Sequence, residues 1–231
     1  EIAGRDSERV QGARDLSGSW RAHLAEGDLH QRFVERAFDD AAWDDITVPG
    51  HWRSSHGFTD SDGPVLYRHR FAGQPLDRDR RAFVVLDGLF YFGDVWLDAD
   101  YLGATEGYFF PHEFEITDPL RRHDEHVLAV EVGCPRQSDR TAKRLVTGVF
   151  SHWDNLDPHW NPGGLWRPVR VVETGPVRLA RLRCVCIEAT EERGRLLLDL
   201  TLDAAGSGSD DEPAPRPARL HAHLTGPDDG G

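Results

Sequence analysis

The chain has 231 residues, of which 39% are hydrophobic and 29% charged, a composition typical of globular proteins. Its formal net charge of −13 at pH 7 disfavours nucleic acid as a partner, because the phosphates would be repelled, and favours a neutral ligand. No apolar run in the sequence approaches the roughly 20 residues that a membrane span needs, so no membrane partner is expected.

The cysteines Cys134, Cys184 and Cys186 are an odd number and predict no disulfide framework. Cys184 and Cys186 are two apart on one strand face, too far to bridge without strain. We therefore expect all of them to be buried apolar residues in a reducing cytoplasm. The sequence contains no Met, which is compatible with a segment of a longer protein and leaves secretion open.

Taken in order, the chain begins with a polar, irregular stretch over residues 1–14 that predicts a flexible terminus. Short segments of alternating polarity follow, separated by Gly, Pro or Asp turns. They predict strands at 15–27, 66–71, 82–89, 94–97, 101–105, 113–116, 126–132 and 165–172. Asp39 or Asp40 is expected to cap a single helical turn, with Trp43 and Ile46 pointing inward, and 118–122 predicts a short helix. Many short strands at this spacing indicate an all-β fold, a jelly-roll β-sandwich.

Two segments predict loops at a pocket. The first, 51–64, is rich in Ser, Gly, Asp and His and is interpreted as a pocket rim or an interface, with direct ligand contact as the alternative. The second reads GVFSHWDNLDPHWNPGGLWRPVRVV over 148–172 and mixes flat aromatic rings with carboxylates and amides. A sugar needs this mixture, because its hydroxyls bond to carboxylates and amides while its C–H faces lie on aromatic rings. The candidate substrate-binding residues are Trp153, Asp154, Asn155, Asp157 and Trp160. The alternative is a structural loop whose tryptophans plug the end of the sandwich.

Five runs carry a family resemblance: WDDITVPGHW, LYRHRF, FVVLDGLFYFGDVWLDADYLGATEGYFFPHEFEIT, HVLAVEV and GGLWRPVRV. In this order they resemble the N-terminal sugar-binding domain of glycoside hydrolase family 2, the family of β-galactosidases, β-glucuronidases and β-mannosidases. The resemblance implies a galactose-binding-like jelly roll over residues 15–175, followed by an incomplete immunoglobulin-like sandwich over 176–231.

The second of these regions predicts strands at 177–189, 195–202 and 219–224, with a disordered acidic stretch at 204–217. An immunoglobulin-type sandwich needs about seven strands, so three cannot bury both inner faces. Leu196, Leu198, Leu200 and Leu202 should then face water, which indicates a truncated chain.

The resemblance also implies a function. The motif SHWDNLDPH resembles the Trp-Asp loop of the β-mannosidase branch, in which the Asp binds hydroxyls of the sugar being cleaved. The resemblance gives this role to Asp154, with Asp157 as the alternative residue. It makes Trp153 a wall of the sugar pocket. Family members catalyse hydrolysis with two glutamates on a separate barrel, and the acid is preceded by Asn. This sequence contains no Asn-Glu dipeptide, so no catalytic residue is assigned within it.

We therefore expect the non-catalytic N-terminal portion of an exo-glycosidase, which hydrolyses O-glycosidic bonds on a catalytic barrel domain of the same parent chain. Its partners are a carbohydrate substrate and that barrel, and an oligomer is compatible with the sequence. The alternative is a free-standing carbohydrate-binding or interaction module without hydrolase activity. The sugar, its linkage and the oligomeric state are left open.

No cofactor or metal is predicted, because neither the group His152, Asp154, Asp157 and His159 nor the pair Asp60 and Asp62 matches a recognised ligand motif.

The family usually places Asn-Gly where this chain has Asp98-Ala99, and we expect a looser or different turn there. The family also buries aromatic residues between its sheets at the positions of Tyr108, Phe109 and Phe110. Arg68, Arg70 and Arg167 are expected to face solvent or pair with acids.

Overall fold

The computed structural model describes residues 13–135, 145, 162–191 and 193–205. Nearly all of its regular structure is antiparallel β, which confirms the all-β prediction. The helices α1 (Leu29–Arg32) and α2 (Thr117–Leu120) are four residues each, and no described helix is long and apolar enough to cross a membrane. The chain divides into two units, Glu1–Gly175 and Pro176–Gly231.

The strands of the first unit form two antiparallel sheets. They are β1 (Ala13–Asp15), β2 (Gly18–Leu24), β3 (Asp44–Val48), β4 (Val65–Ala72), β5 (Arg81–Leu86), β6 (Phe92–Leu97), β7 (Asp100–Glu106), β8 (His112–Glu115), β9 (Glu125–Gly133) and β10 (Val169–Thr174). One sheet has the order β1-β10-β5-β8, and the other has the order β3-β2-β4-β9-β6-β7. Their apolar faces form the core of a β-sandwich.

A second, smaller apolar cluster covers the outer face of the six-stranded sheet. Phe33, which follows α1, and Trp43 pack there against Leu66 of β4 and Ala129 of β9. This cluster explains why these central strands are buried on both faces. The sequence did not predict α1, because a single helical turn carries too little periodicity to be recognised.

The helical turn expected at Asp39 and Asp40 is not present. The backbone makes a simple turn there, in which Asp39 Oδ1 accepts a hydrogen bond from the amide of Ala41 at 3.0 Å. Asp40 instead accepts a 2.7 Å hydrogen bond from Nε of Arg68, which is 1% exposed. Arg68 is therefore paired with an acid and does not face solvent. The inward positions of Trp43 and Ile46 are confirmed.

The strand predicted from residue 165 begins at Val169. Pro168 cannot donate to a sheet, and its carbonyl accepts a bond from the amide of Asp87. Before it, Trp166 is partly buried against the core, and its Nε1 donates to the carbonyl of Tyr108 at 3.0 Å. The strand predicted up to residue 89 ends three residues earlier, at Leu86.

The Asp98-Ala99 turn between β6 and β7 is a tight two-residue hairpin turn, so the expected looser or different type is wrong. Both residues have positive φ, 54° and 73°, and Leu97 pairs directly with Asp100. This is the backbone that Asn-Gly usually supplies. Hydrogen bonds to the Asp98 carboxylate, from Val127 N at 2.8 Å and with His126 Nδ1 at 2.6 Å, hold the turn against the strain at Ala99.

Two of the three aromatic residues expected in the core are exposed. Tyr108 is buried, but Phe109 and Phe110 are 55% and 61% exposed. They lie in an irregular bend between β7 and β8, in which strand alternation does not apply.

The prediction that all three cysteines are buried is correct for only one of them. All three are thiols, and Cys134 is buried at the end of β9, but Cys184 and Cys186 are exposed. These two lie on a hairpin with little packed against it among the described residues.

That hairpin is the described part of the second unit. It pairs β11 (Val177–Ala189) with β12 (Gly194–Ala204). As predicted, Leu196, Leu198 and Leu202 of β12 are exposed, at 45%, 38% and 50%, but Leu200 on the same face is partly buried. The predicted strand at 219–224 and the acidic stretch after residue 205 lie outside the described residues.

Candidate functional site

The sugar-binding residues predicted from the sequence, Trp153, Asp154, Asn155, Asp157 and Trp160, lie outside the described residues, as do His152 and His159. The structure describes the framework on either side of them. The segment that holds them follows Pro135, just after β9, and ends at Pro162, four residues after which Trp166 packs on the core.

Gly163 and Gly164 connect the two sides of this framework by backbone hydrogen bonds. The carbonyl of Gly163 accepts a 2.9 Å hydrogen bond from the amide of Trp52, and the carbonyl of Gly164 accepts one of 3.0 Å from Phe90. A Cβ added to Gly163 would lie 2.0 Å from the Trp52 ring, and Gly164 has φ +123°. Both positions therefore require glycine, and the two predicted loop segments meet at the fully buried ring of Trp52.

The segment 51–64 is ordered by its own polar contacts. His51 Nδ1 accepts from the amide of Arg53 at 3.1 Å, and the Arg53 guanidinium bonds to Asp62 at 2.6 Å. Burial, together with the charge of Arg53, lowers the pKa of His51 from 6.5 to about 4. His51 is therefore neutral at pH 7 and can act as an acceptor for the turn.

A cavity of about 430 Å³ opens where this segment ends and where the segment after β9 begins. Its walls come from the ends of three neighbouring strands: the approach to β4, the start of β6 and the end of β9. The lining residues are Asp62, Gly63, Pro64, Phe92, Gly93, Asp94, Glu131, Gly133, Cys134 and Pro135. The loop 51–64 thus contributes its last residues to a pocket rim.

Asp94 and Glu131 face each other across β6 and β9 on the side of the sheet away from the core. Asp94 accepts a 2.7 Å hydrogen bond from the hydroxyl of Tyr101. Burial raises the pKa of Glu131; the charge of His30 opposes this rise, and the Asp94 carboxylate adds to it. The two carboxylates can accept hydrogen bonds from the hydroxyls of a ligand. The ring of Phe92, which is 37% exposed, lies in the same lining and adds an aromatic surface.

Sequence reasoning missed Phe92, Asp94 and Glu131. Alternation along β6 and β9 indicates that Asp94 and Glu131 face outward, because each is a polar residue between apolar or small neighbours in a strand. The sequence did not show that these two strands are adjacent. For metal binding, the described residues contain no group of three or more His, Cys, Asp or Glu side chains suited to an ion. Asp62, one of the two acids considered for calcium, is paired with Arg53.

Comparison with known proteins identifies this part of the chain. Residues 59–163 match a family described as glycosyl hydrolase 2 galactose-binding domain-like. Over these residues the chain is similar to the galactose-binding-like domain of glycosyl hydrolase 2 proteins. The resemblance found in the sequence is therefore confirmed, and every residue that lines the cavity lies inside this domain.

Curated relatives of the domain are glycosidases. A β-glucuronidase of Formosa agariphila is 26% identical over 156 residues, which are 62% of this chain and 15% of the relative. A β-galactosidase of Priestia megaterium is 25% identical over 191 residues, which are 72% of this chain and 17% of the relative. The chain thus spans less than a fifth of the length of either relative.

Solved structures share the fold. The β-glucuronidase of Bifidobacterium dentium, complexed with coumarin-3-O-glucuronide, aligns with a TM-score of 0.64 and 18% identity over 88% of this chain and 38% of its own. A β-glucuronidase of an uncultured Clostridium sp. aligns with a TM-score of 0.61 and 17% identity over 88% of this chain and 36% of its own.

Proposed function

We propose that this chain is the sugar-binding N-terminal portion of an exo-glycosidase, and that the cavity at the ends of β4, β6 and β9 belongs to its sugar pocket. The observation that carries the proposal is the location of this cavity: its whole lining lies within the galactose-binding-like domain, and it opens beside both predicted loop segments. Hydrolysis of the O-glycosidic bond is assigned to a barrel domain of the same parent chain, in a cytoplasmic enzyme.

The chemistry of the lining supports a sugar as the ligand. The Asp94 and Glu131 carboxylates can each accept hydrogen bonds from hydroxyl groups, and Phe92 can lie against a C–H face of the ring. These polar groups would fix the orientation of the ligand, whereas tight binding also needs walls that bury most of its surface. An open pocket with few walls should therefore bind a monosaccharide weakly.

The segment after Pro135 is proposed to complete the pocket. Asp154 is assigned to hydroxyls of the terminal sugar, Trp153 and Trp160 to its apolar faces, and Asn155 and Asp157 to further hydroxyls. In the full-length parent protein, we expect Asp154→Ala to lower turnover by orders of magnitude without unfolding the protein. Turnover equal to that of the unchanged enzyme would remove Asp154 from the site.

The cavity can be tested on the 231-residue chain itself. Ligand-observed NMR with methyl β-galactoside and methyl β-glucuronide should show millimolar binding of at least one sugar, and no hydrolysis of nitrophenyl glycosides. Phe92→Ala and Glu131→Gln should each weaken binding severalfold. Asp118→Asn is the matched control, because this carboxylate is 86% exposed in α2, away from the cavity lining.

Binding that is undetectable for both sugars would overturn the assignment of the cavity. Binding that Phe92→Ala and Glu131→Gln leave unchanged would place the sugar elsewhere on the chain. Hydrolysis by the chain alone would overturn the assignment of catalysis to a separate barrel.

A further inference from the structure

Two carboxylates lie opposite each other in the lining of the cavity. Asp94 of β6 and Glu131 of β9 are paired residues of the antiparallel ladder, and both face away from the core. Directly opposite side chains in such a ladder have Cβ atoms about 5 Å apart, and like charges at this spacing are destabilising. The sheet therefore concentrates negative charge at one point of the cavity.

The protein places little positive charge against this pair. No arginine, lysine or histidine is among the described residues that line the cavity. Asp94 accepts its hydrogen bond from the hydroxyl of Tyr101, and within the described part of the chain Glu131 has neither a hydrogen bond nor a salt bridge. Asp62, the other acid of the lining, is bonded to Arg53 at 2.6 Å. The charge of Asp94 and Glu131 is thus left without a cationic partner of this kind.

The ionisation of Glu131 reflects this imbalance. Burial raises the pKa of Glu131, the charge of His30 on α1 opposes the rise, and the Asp94 carboxylate adds to it. A pKa raised in this way means that the ionised pair is held at a cost in free energy. A bound cation would offset that cost, because a positive charge favours the ionised form of both carboxylates.

An organic cation fits the cavity better than a metal ion does. Calcium takes about six to eight oxygen ligands, and the described residues contain no group of three or more His, Cys, Asp or Glu side chains suited to an ion. The cavity measures about 430 Å³ and includes the ring of Phe92, which is 37% exposed. A volume and an aromatic surface of this kind suit a ligand of the size of a sugar.

We propose that the cavity prefers an amino sugar, whose ammonium group lies between Asp94 and Glu131, to a neutral sugar, and that it rejects a uronic acid. The inference rests on the proposed function of the cavity. A protonated amine has three N–H donors and can bond to both carboxylates at once, while a C–H face of the ring lies on Phe92. A uronate would instead add a further negative charge to a lining that contains no described base.

The test compares sugars that differ only in the charged group at C6. Methyl β-galactoside, its 6-amino-6-deoxy derivative and methyl β-galacturonide are titrated into the 231-residue chain at pH 7 and followed by ligand-observed NMR. The same series is run in the glucose configuration. In at least one series, the amino sugar should bind about fivefold more tightly than the neutral sugar, and the uronate about fivefold more weakly. Both ratios should shrink when salt is raised from about 0.05 M to about 0.5 M, because salt screens exposed charges.

Two substitutions assign the preference to the carboxylate pair. Asp94→Asn and Glu131→Gln each remove one charge and keep the shape of the side chain, so each should lower the ratio of amino-sugar to neutral-sugar affinity about twofold. Asp118→Asn is the matched control, because it removes the same charge from an exposed position in α2 outside the lining, and it should leave both ratios unchanged. Circular dichroism establishes that each variant is folded.

Each other result has a definite meaning. Equal affinity for the three ligands, or tighter binding of the uronate, would overturn the preference while the cavity assignment stands. A preference that survives both substitutions in the lining, or that Asp118→Asn lowers equally, would belong to the net charge of the chain and would overturn the role of the pair. Absence of binding by every sugar of both series would overturn the proposed function, and the preference with it.

Discussion

His126 and Asp98 are joined by a 2.6 Å hydrogen bond between Nδ1 and Oδ2, which ties the start of β9 to the tip of the β6–β7 hairpin. Both side chains are almost completely buried, and Oδ1 of Asp98 also accepts from the amide of Val127. These contacts fix the carboxylate of a turn in which Asp98 and Ala99 have positive φ, at the end of β6 where Leu97 pairs with Leu128 of β9.

Replacement of Ala99 by glycine should stabilise the protein. Ala99 has φ 73°, which costs a non-glycine residue about 1 kcal/mol and costs glycine almost nothing. The free energy of unfolding of Ala99→Gly, measured with urea, should therefore rise by about 1 kcal/mol. Ala104→Gly, at an exposed position in β7, is the control and should lower it. A lower stability for Ala99→Gly would mean that the turn has another backbone.

Loss of the Asp98 carboxylate should have the opposite effect. Asp98→Ala leaves the Val127 amide and the buried His126 ring without their acceptor and removes the charge that lies 3.6 Å from Arg36. We expect a loss of about 3 kcal/mol in urea unfolding. Asp98→Asn keeps one acceptor and should lose less. Equal losses for both variants would argue that charge, and not hydrogen bonding, holds the turn.

The protein should lose stability as the pH falls from about 6.5 to about 4. The pKa of His51 is lowered from 6.5 to about 4 in the folded protein, so the unfolded chain binds a proton first. The contribution of His51 is complete above pH 6.5 and is lost through this window.

His51→Asn isolates this contribution, since Asn can still accept from the amide of Arg53 but does not titrate. The pH slope of the unfolding free energy in this window should be shallower for His51→Asn than for the unchanged protein. His56→Asn, an exposed histidine in the same loop, should keep the slope. Identical slopes in all three proteins would refute the role of His51.

Gly163 should not tolerate a side chain. The Cβ of Gly163→Ala would lie 2.0 Å from the Trp52 ring, so the ring or the backbone must move, at a cost of about 3 kcal/mol. Gly133→Ala is a matched control, because nothing lies within 4 Å of its Cβ position. Thermal unfolding should show a large loss for Gly163→Ala and little change for Gly133→Ala. Similar behaviour of the two would mean that Trp52 does not pack against this glycine.

The cysteines should differ in reactivity. Cys184 and Cys186 are exposed, whereas burial raises the pKa of the Cys134 thiol to about 12. Titration of the native protein with a chromogenic disulfide should therefore modify Cys184 and Cys186 quickly and Cys134 only after unfolding. Cys134→Ser should leave the fast phase unchanged, and a fast reaction that disappears in this variant would contradict the burial of Cys134.

Much of the fold could be predicted from the sequence, because alternation along a strand is a local property. The strand Val177–Ala189 has the bounds predicted for it, and β4, β6, β7 and β9 differ from prediction by at most two residues at either end. The predictions failed where a contact with a residue far away in the sequence determines the local structure. Asp40 is bonded to Arg68 instead of capping a helix, and α1 depends on the cluster around Phe33.

The candidate site was less predictable for the same reason. Local composition located the segments 51–64 and 148–172, and the structure brings Trp52 of the first against Gly163 of the second. Asp94 and Glu131 are 37 positions apart in the sequence, and only the pairing of β6 with β9 brings them together. The roles of Asp154 and its neighbours stay predictions.

The cavity is built from the ends of strands whose middles form the core. Phe92 and Asp94 are the first and third residues of β6 and line the cavity, while Val95 and Leu97 further along the same strand are fully buried. Mutations can therefore accumulate at the mouth without disturbing the packing beneath it. Descendants of one ancestral scaffold can in this way diverge in what the cavity accepts while the sandwich itself is inherited unchanged.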